Sequence, residues 1–380
     1  MTPGRRARFL GLTAIVVTIL LCGLIVEASA TQYAVVAHSL AGTVSVLKSD
    51  GGSWTQASSL TVGGNPWGLT THGDYVYVAK SDGHVLVLRA QANASGVVML
   101  TQTQDISLPA GTTNTQWISC SPSGDRLYVS SLDNGTAGTG SVTELSNSGG
   151  TWGISGSYTS QGYKPQGVYA LGSGAMVAYN GGIGYEGWGY VNGSPATPTS
   201  LAGQPRHFTS WASGSSEFVF LTQPDARGIS FFDAANPVLA QSVFTSPLSY
   251  SPYAATTIGD YMFVTDYDTA NVYRYQLGLG TGGPTLTSGT SFLVDTAVGG
   301  IRQLAASADG KSLLITSLGG DSVYVVDPQT LSQYALAGSG SIGVASLTPG
   351  AGAVPEPSAL AGMLSGLLAM GAVRRRMRRK

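Results

Sequence analysis

The chain has 380 residues, of which 53 are glycine, 43% are hydrophobic and only 10% are charged. Glycine at about twice its usual share of ~7% argues against long helices as the main elements, and an apolar fraction this large excludes disorder, coiled coil and collagen. The formal net charge is -1. Cysteine occurs twice, at Cys22 and Cys120, with no CxxC spacing, which excludes a disulfide framework and a zinc-thiolate site.

The first 30 residues have the composition of an export signal. Arg5, Arg6 and Arg8 precede the uncharged run 9–26, and Ala28-Ser29-Ala30 follows it. Small side chains at Ala28 and Ala30 fit a signal peptidase pocket, so cleavage after Ala30 is expected. An uncleaved anchor is the alternative, because 18 uncharged residues reach the lower limit for crossing a ~30 Å hydrocarbon layer. Leu21, before Cys22, departs from the small residue that a lipoprotein box requires.

From residue 31 to residue 349 one element recurs: an alternating strand, a turn, then another strand. Strong copies are Tyr75-Val76-Tyr77-Val78-Ala79, Arg126-Leu127-Tyr128-Val129-Ser130, Glu217-Phe218-Val219-Phe220-Leu221, Tyr261-Met262-Phe263-Val264-Thr265 and Ser312-Leu313-Leu314-Ile315-Thr316, with weaker ones from Tyr33 and Ala175. The seven starts lie 42 to 51 residues apart, the length of a four-stranded propeller blade. Tight turns precede several of them, as at His72-Gly73-Asp74, Ile258-Gly259-Asp260 and Ala308-Asp309-Gly310-Lys311, where Gly and Asp tolerate a positive φ. The predicted fold is therefore all-β, a seven-bladed propeller of four-stranded blades. The repeat starts out of phase, on a second strand at Tyr33, so Ile342-Gly343-Val344-Ala345-Ser346-Leu347 is expected to complete the first blade and tie the ends together.

Ser121-Pro122-Ser123-Gly124-Asp125 and Ser307-Ala308-Asp309-Gly310-Lys311 resemble the SPDG turn of YVTN-type and lactonase-like propellers. Loops entering the inner strands share one face with loops joining the second and third strands. The repeat register brings Trp67, Trp117, Gln166, Arg206, His207, Tyr253 and Arg302 to one rim. The other loop set adds Asp82, Asp133, Glu186, Asp225, Arg227, Asp266, Asp268 and Asp321. Aromatic faces among charged groups suit a sugar, with Trp67, Trp117, Arg206 and Tyr253 as the ligand-binding candidates. Turn formation and packing between blades are the bland alternative for the same residues.

Catalytic signals are sparse. The four histidines, His38, His72, His84 and His207, fall in different repeats, and neither a metal-grade cluster nor a nucleotide-binding loop is present, so no metal or cofactor is expected. A lactonase-like site would combine His207 with Glu186 or Asp225 as base and Arg302 as oxyanion stabiliser.

The tail has three parts: 350–358 containing Val354-Pro355-Glu356-Pro357-Ser358, the apolar run 359–373, and the basic end 374–380. Pro355 and Pro357 keep their segment extended. Fifteen apolar residues would make a helix of about 22 Å, with the basic cluster held on the cytoplasmic side. The arrangement resembles the PEP-CTERM sorting signal of Gram-negative bacteria, which implies recognition of Pro355-Glu356-Pro357 by an exosortase-type enzyme, removal of the tail and a transient stay in the inner membrane. A permanent short anchor is the alternative. Without the two end segments, 10 basic and 18 acidic residues remain, a net charge of -8, which argues against nucleic acid as a partner.

These readings predict an exported envelope or extracellular-matrix propeller. Its expected partners are signal peptidase, the sorting enzyme and an extracellular polysaccharide. A binding or scaffold role comes first, since no catalytic constellation assembles in the sequence; a lactonase-like hydrolase acting at the channel is the alternative.

Overall fold

Each alternating run becomes the second strand of an antiparallel sheet, as in Tyr75–Lys80, Arg126–Asn134, Tyr261–Asp266 and Leu313–Ser317. The structure, a computed structural model, describes residues 30–348 except 136–138, 161–162, 182–186, 194–198, 202, 243–247, 288, 295–300, 318–321 and 338–339. The export segment with Ala28, the tail with Pro355, Glu356 and Pro357, and the candidates Glu186 and Asp321 lie outside the described residues.

Seven sheets are formed. In blade 2 the order from the axis outward is Pro66–His72, Tyr75–Lys80, His84–Ala92 and Val98–Ser107. Blade 7 runs Ile301–Ala306, Leu313–Ser317, Ser322–Val326, Gln333–Ala337. Blade 6 gains a short extra strand, Ser291–Leu293, against Asn271–Gly280. Blade 1 takes its inner strand, Ser341–Leu347, from the end of the repeat region and its other three, Gln32–His38, Thr43–Ser49 and Trp54–Thr61, from the start. Val35 pairs with Ala345 and Val36 with Val344, so backbone hydrogen bonds close the ring. The closure pairs Gln32–His38 on both sides, so the first strand of the chain leaves no open edge.

Successive strand residues point to opposite faces, and here both faces are buried against neighbouring blades. In Tyr75–Lys80, Val76 and Val78 pack toward blade 1 while Tyr77 and Ala79 pack toward blade 3. In Gln32–His38, Tyr33, Val35 and Ala37 face blade 2 and Ala34 and Val36 face blade 7. The core is consequently seven apolar clusters, one at each junction between blades. The predicted turns hold: Gly73, Gly124, Gly259 and Gly310 all have φ between 54° and 73°, a conformation that only glycine adopts without strain. No helix among the described residues is long and apolar enough to cross a membrane.

Candidate functional site

The inner strands share an irregularity that aims side chains at the axis. Six of the seven shift register, at Trp67, Gln116, Gln166, Tyr253, Arg302 and Ile342. An extra residue in one strand bends it and redirects its side chain. In blade 5, Arg206 stands at the corresponding point, just before Phe208–Ser213, with its N–H donated to the Thr222 carbonyl at 2.9 Å. Trp67, Gly68, Gln116, Trp117, Tyr253, Arg302, Gln303 and Ile342 line a cavity of about 10 Å³, room for about one water. These residues come from five inner strands, which meet around this small space as a floor.

Buried hydroxyls on second strands fix the bulges of the next blade. Thr222 donates to the Tyr253 carbonyl at 2.6 Å, Thr316 to the Ile342 carbonyl at 2.6 Å, and Ser130 to the Gln166 carbonyl. All three side chains are fully buried. The bends also bring backbones together: a Cβ on Gly68, Gly167 or Gly343 would collide with the carbonyl of Gln116, Arg206 or Trp67 respectively. Glycine after the bulge is therefore a packing requirement at three blades.

Above this floor cations meet aromatic faces. The Arg206 and Arg302 guanidinium carbons lie 5.9 and 5.2 Å from the Tyr253 ring centroid, and Arg302 is also 5.5 Å from that of Tyr267. Such contacts contribute roughly 0.5–2 kcal/mol each. Arg206 Nη2 donates to Gln204 Oε1 at 2.7 Å. Among the described residues neither arginine has a carboxylate within ion-pair distance, and the buried Nε atoms of both, with Nε1 of Trp117, have no hydrogen-bond partner. Two unneutralised cations and unused donors make this end of the channel complementary to an anion or a developing oxyanion.

His207 lies beside them, its ring edge-on to Trp117 at 5.1 Å. Burial pushes its pKa down to about 4, so the ring is neutral near pH 7. Its Nδ1 accepts the Ala255 N–H at 3.4 Å, which assigns the ring proton to Nε2 and makes that nitrogen a donor.

The second predicted loop set does not converge in the same way. Asp82 pairs with Lys80 at 3.2 Å, and Asp133 accepts from Asn114. Asp266 is 3% exposed and satisfied within its own turn by Ser251 N, Asp268 N and Thr269 Oγ1. Ser251 Oγ donates to Asp268 at 2.8 Å. Arg227 sits in the turn after Pro224 with φ of 50°, and Asp225, exposed in that turn, forms no ion pair with His207 among the described residues. Of the proposed triad, only His207 and Arg302 are placed on the rim. Among the described residues no group of three or more His, Cys, Asp or Glu could hold a metal.

The sequence reading missed Gln116, Gln303, Ile342 and Tyr267. The first three occupy or follow the bulges, whose signal is the recurrent Pro-x-Gly of Pro66-Trp67-Gly68 and Pro165-Gln166-Gly167. Tyr267 lies between Asp266 and Asp268 of the second predicted loop set.

No family model matches the chain, and no curated protein matches its sequence. Solved structures do match its fold. The periplasmic gluconolactonase PpgL of Pseudomonas aeruginosa aligns over 86% of this chain and 100% of its own, with 17% identity and a TM-score of 0.66. A candidate 6-phosphogluconolactonase of Bacteroides fragilis covers 84% and 99%, at 13% identity and TM-score 0.65. A functionally unknown protein of Desulfotomaculum acetoxidans covers 83% and 99%, at 14% identity and TM-score 0.62. At such identities the likeness is one of architecture: the chain shares its seven-bladed β-propeller fold with these structures.

Proposed function

We propose that this chain is an exported lactonase-like hydrolase that opens the lactone of a sugar acid at the arginine-lined end of the channel. The observation that carries the reading is the convergence of Arg206 and Arg302 on Tyr253 without a neutralising carboxylate among the described residues. Water would add to the lactone carbonyl, the two guanidinium groups would hold the resulting oxyanion, and the ring C–O bond would break with a proton passing to the leaving oxygen. The geometry of His207 suits a hydrogen-bond donor to the substrate, beside the carboxylate base expected from sequence. Glu186, between strands Gly174–Gly181 and Gly187–Val191 in the chain, is then the carboxylate to test as base. Lactonases among the structural neighbours, one of them periplasmic, support this order of preference over the scaffold role.

A binding role without turnover is the second reading, favoured by the engagement of His207 Nδ1 with the backbone. In either case the tail is proposed to be removed at Pro355-Glu356-Pro357 by an exosortase-type enzyme, which mass spectrometry of the native protein tests directly. Release of acid from glucono-δ-lactone by the purified full chain, followed in a pH-stat, separates the two functional readings. Hydrolysis above the spontaneous rate that falls about 100-fold in Arg302→Ala supports the hydrolase. Gluconate binding with no added turnover supports the second reading, and neither binding nor turnover removes both.

A further inference from the structure

A sizeable cavity lies at the seam where the ring closes. It measures about 440 Å³ and is lined by residues of blade 1, including Ser49, Gly52 and Trp54, and of blade 7, including Asp309, Lys311, Ser312, Asp327 and Tyr334. It opens beside the turns that join inner to second and third to outer strands, the face opposite Arg206 and Arg302.

Comparison with the junction between blades 2 and 3 explains why this space exists. Pairing registers align Trp54 with Trp152, Tyr334 with Gln104, Leu314 with Tyr77 and Ser312 with Tyr75. Both junctions dock the tryptophan backbone alike: Trp152 N–H donates to Gln104 Oε1 at 3.0 Å, and Trp54 N–H to the Tyr334 hydroxyl at 2.7 Å. At the blade 2–3 junction the Tyr77 ring fills the gap, packing edge-on to Trp152 at 5.2 Å with Tyr75 stacked beside it. At the seam the positions of Tyr77 and Tyr75 are held by the shorter Leu314, packed in the core below, and by Ser312, which lines the open volume and whose Oγ still receives Trp54 Nε1–H at 3.0 Å.

The walls of the cleft have a defined chemistry. Asp309 and Asp327 each use Oδ1 to cap their own turns, accepting from Lys311 N and from Gln329 N and Thr330 N. The Thr330 hydroxyl also reaches Asp327, and since a carboxylate has about four acceptor sites, each keeps acceptor capacity beyond these bonds. Lys311 supplies a donor, and the Tyr334 ring, 40% exposed, supplies a flat apolar face held in place by its hydroxyl. Negative charge outnumbers positive here, which disfavours an anion. A small polyol ring has hydroxyls that both donate and accept, together with C–H faces that stack on an aromatic ring. The volume falls in the range of roughly 300–1,000 Å³ usual for small-molecule sites.

We infer that the cleft between the first and last blades is a second binding site, for a neutral carbohydrate of about two sugar units. It is separate from the channel end and does not depend on hydrolysis there.

Saturation-transfer NMR and calorimetry with cellobiose and maltose on the full chain test the assignment. At least one of these disaccharides is expected to bind, about tenfold more weakly to Tyr334→Ala and not measurably to Ser312→Tyr, which restores the bulk present at the sister junction. Arg302→Ala should leave that binding unchanged. Circular dichroism and thermal unfolding establish that each variant is folded, and Ser332→Trp, an exposed lining position, serves as the filling variant if Ser312→Tyr does not fold. Failure of both disaccharides to bind, equal binding by both cleft variants, or loss of binding in Arg302→Ala would overturn it. Lactone turnover without disaccharide binding would overturn this site alone, whereas disaccharide binding without turnover would overturn only the hydrolase reading.

Discussion

Thr222 offers the most direct test of how the ring of bulges is held. Its hydroxyl is fully buried, donates to the Tyr253 carbonyl of the next blade at 2.6 Å and accepts the His207 N–H at 3.1 Å. Thr222→Val keeps the shape, so no cavity cost arises, but it removes a partner from two buried backbone groups. At roughly 1–3 kcal/mol for each buried polar group left unsatisfied, the expected loss is about 2–4 kcal/mol. Because Tyr253 is the face on which both arginines rest, gluconate binding at the channel should weaken as well. Urea unfolding followed by tryptophan fluorescence measures the first effect and calorimetry the second. Thr222→Ser should recover most of both, and Thr55→Val, on an exposed outer-strand position, should stay within about 0.5 kcal/mol of the parent. A Thr222→Val protein as stable as the parent would refute the assignment of this hydroxyl as the tie between blades.

Acid should destabilise the fold through its buried imidazoles. The folded pKa of His207 is lowered to about 4 from 6.5, so its contribution is complete above pH 6.5 and is lost as pH falls toward 4, amounting to about 2 kcal/mol at pH 5. His38, bonded to Ser45 and Ser341, is shifted downward by burial and acts in the same direction; His207→Gln should flatten the pH dependence of the urea midpoint between pH 5 and 7. Trp152→Ala should cost about 3–5 kcal/mol by emptying the blade 2–3 junction, read by the same unfolding assay. Burial raises the Cys120 thiol to about 12, so peptide mapping should find it unmodified by iodoacetamide at pH 8 in the native protein and alkylated in urea.

The sequence by itself determined the repeat, the blade count and the manner of closure. These depend on a period-two alternation buried on both faces and on glycine turns, and both are local properties: Tyr75–Lys80 and Leu313–Ser317 declare themselves wherever they are placed. The rim was legible for the same reason, since a regular blade register carries Trp67, Arg206, Tyr253 and Arg302 to one end of the channel. Tertiary structure decided what those residues can do. Whether an arginine is neutralised depends on groups far away in sequence, and Arg302 rests on Tyr253 and Tyr267 of another blade. The tautomer of His207 follows from Ala255, 48 residues away. The seam cleft is visible only after two junctions are aligned in space, because Leu314 and Ser312 are unremarkable core and turn residues until Trp54 from the far end of the chain is set against them.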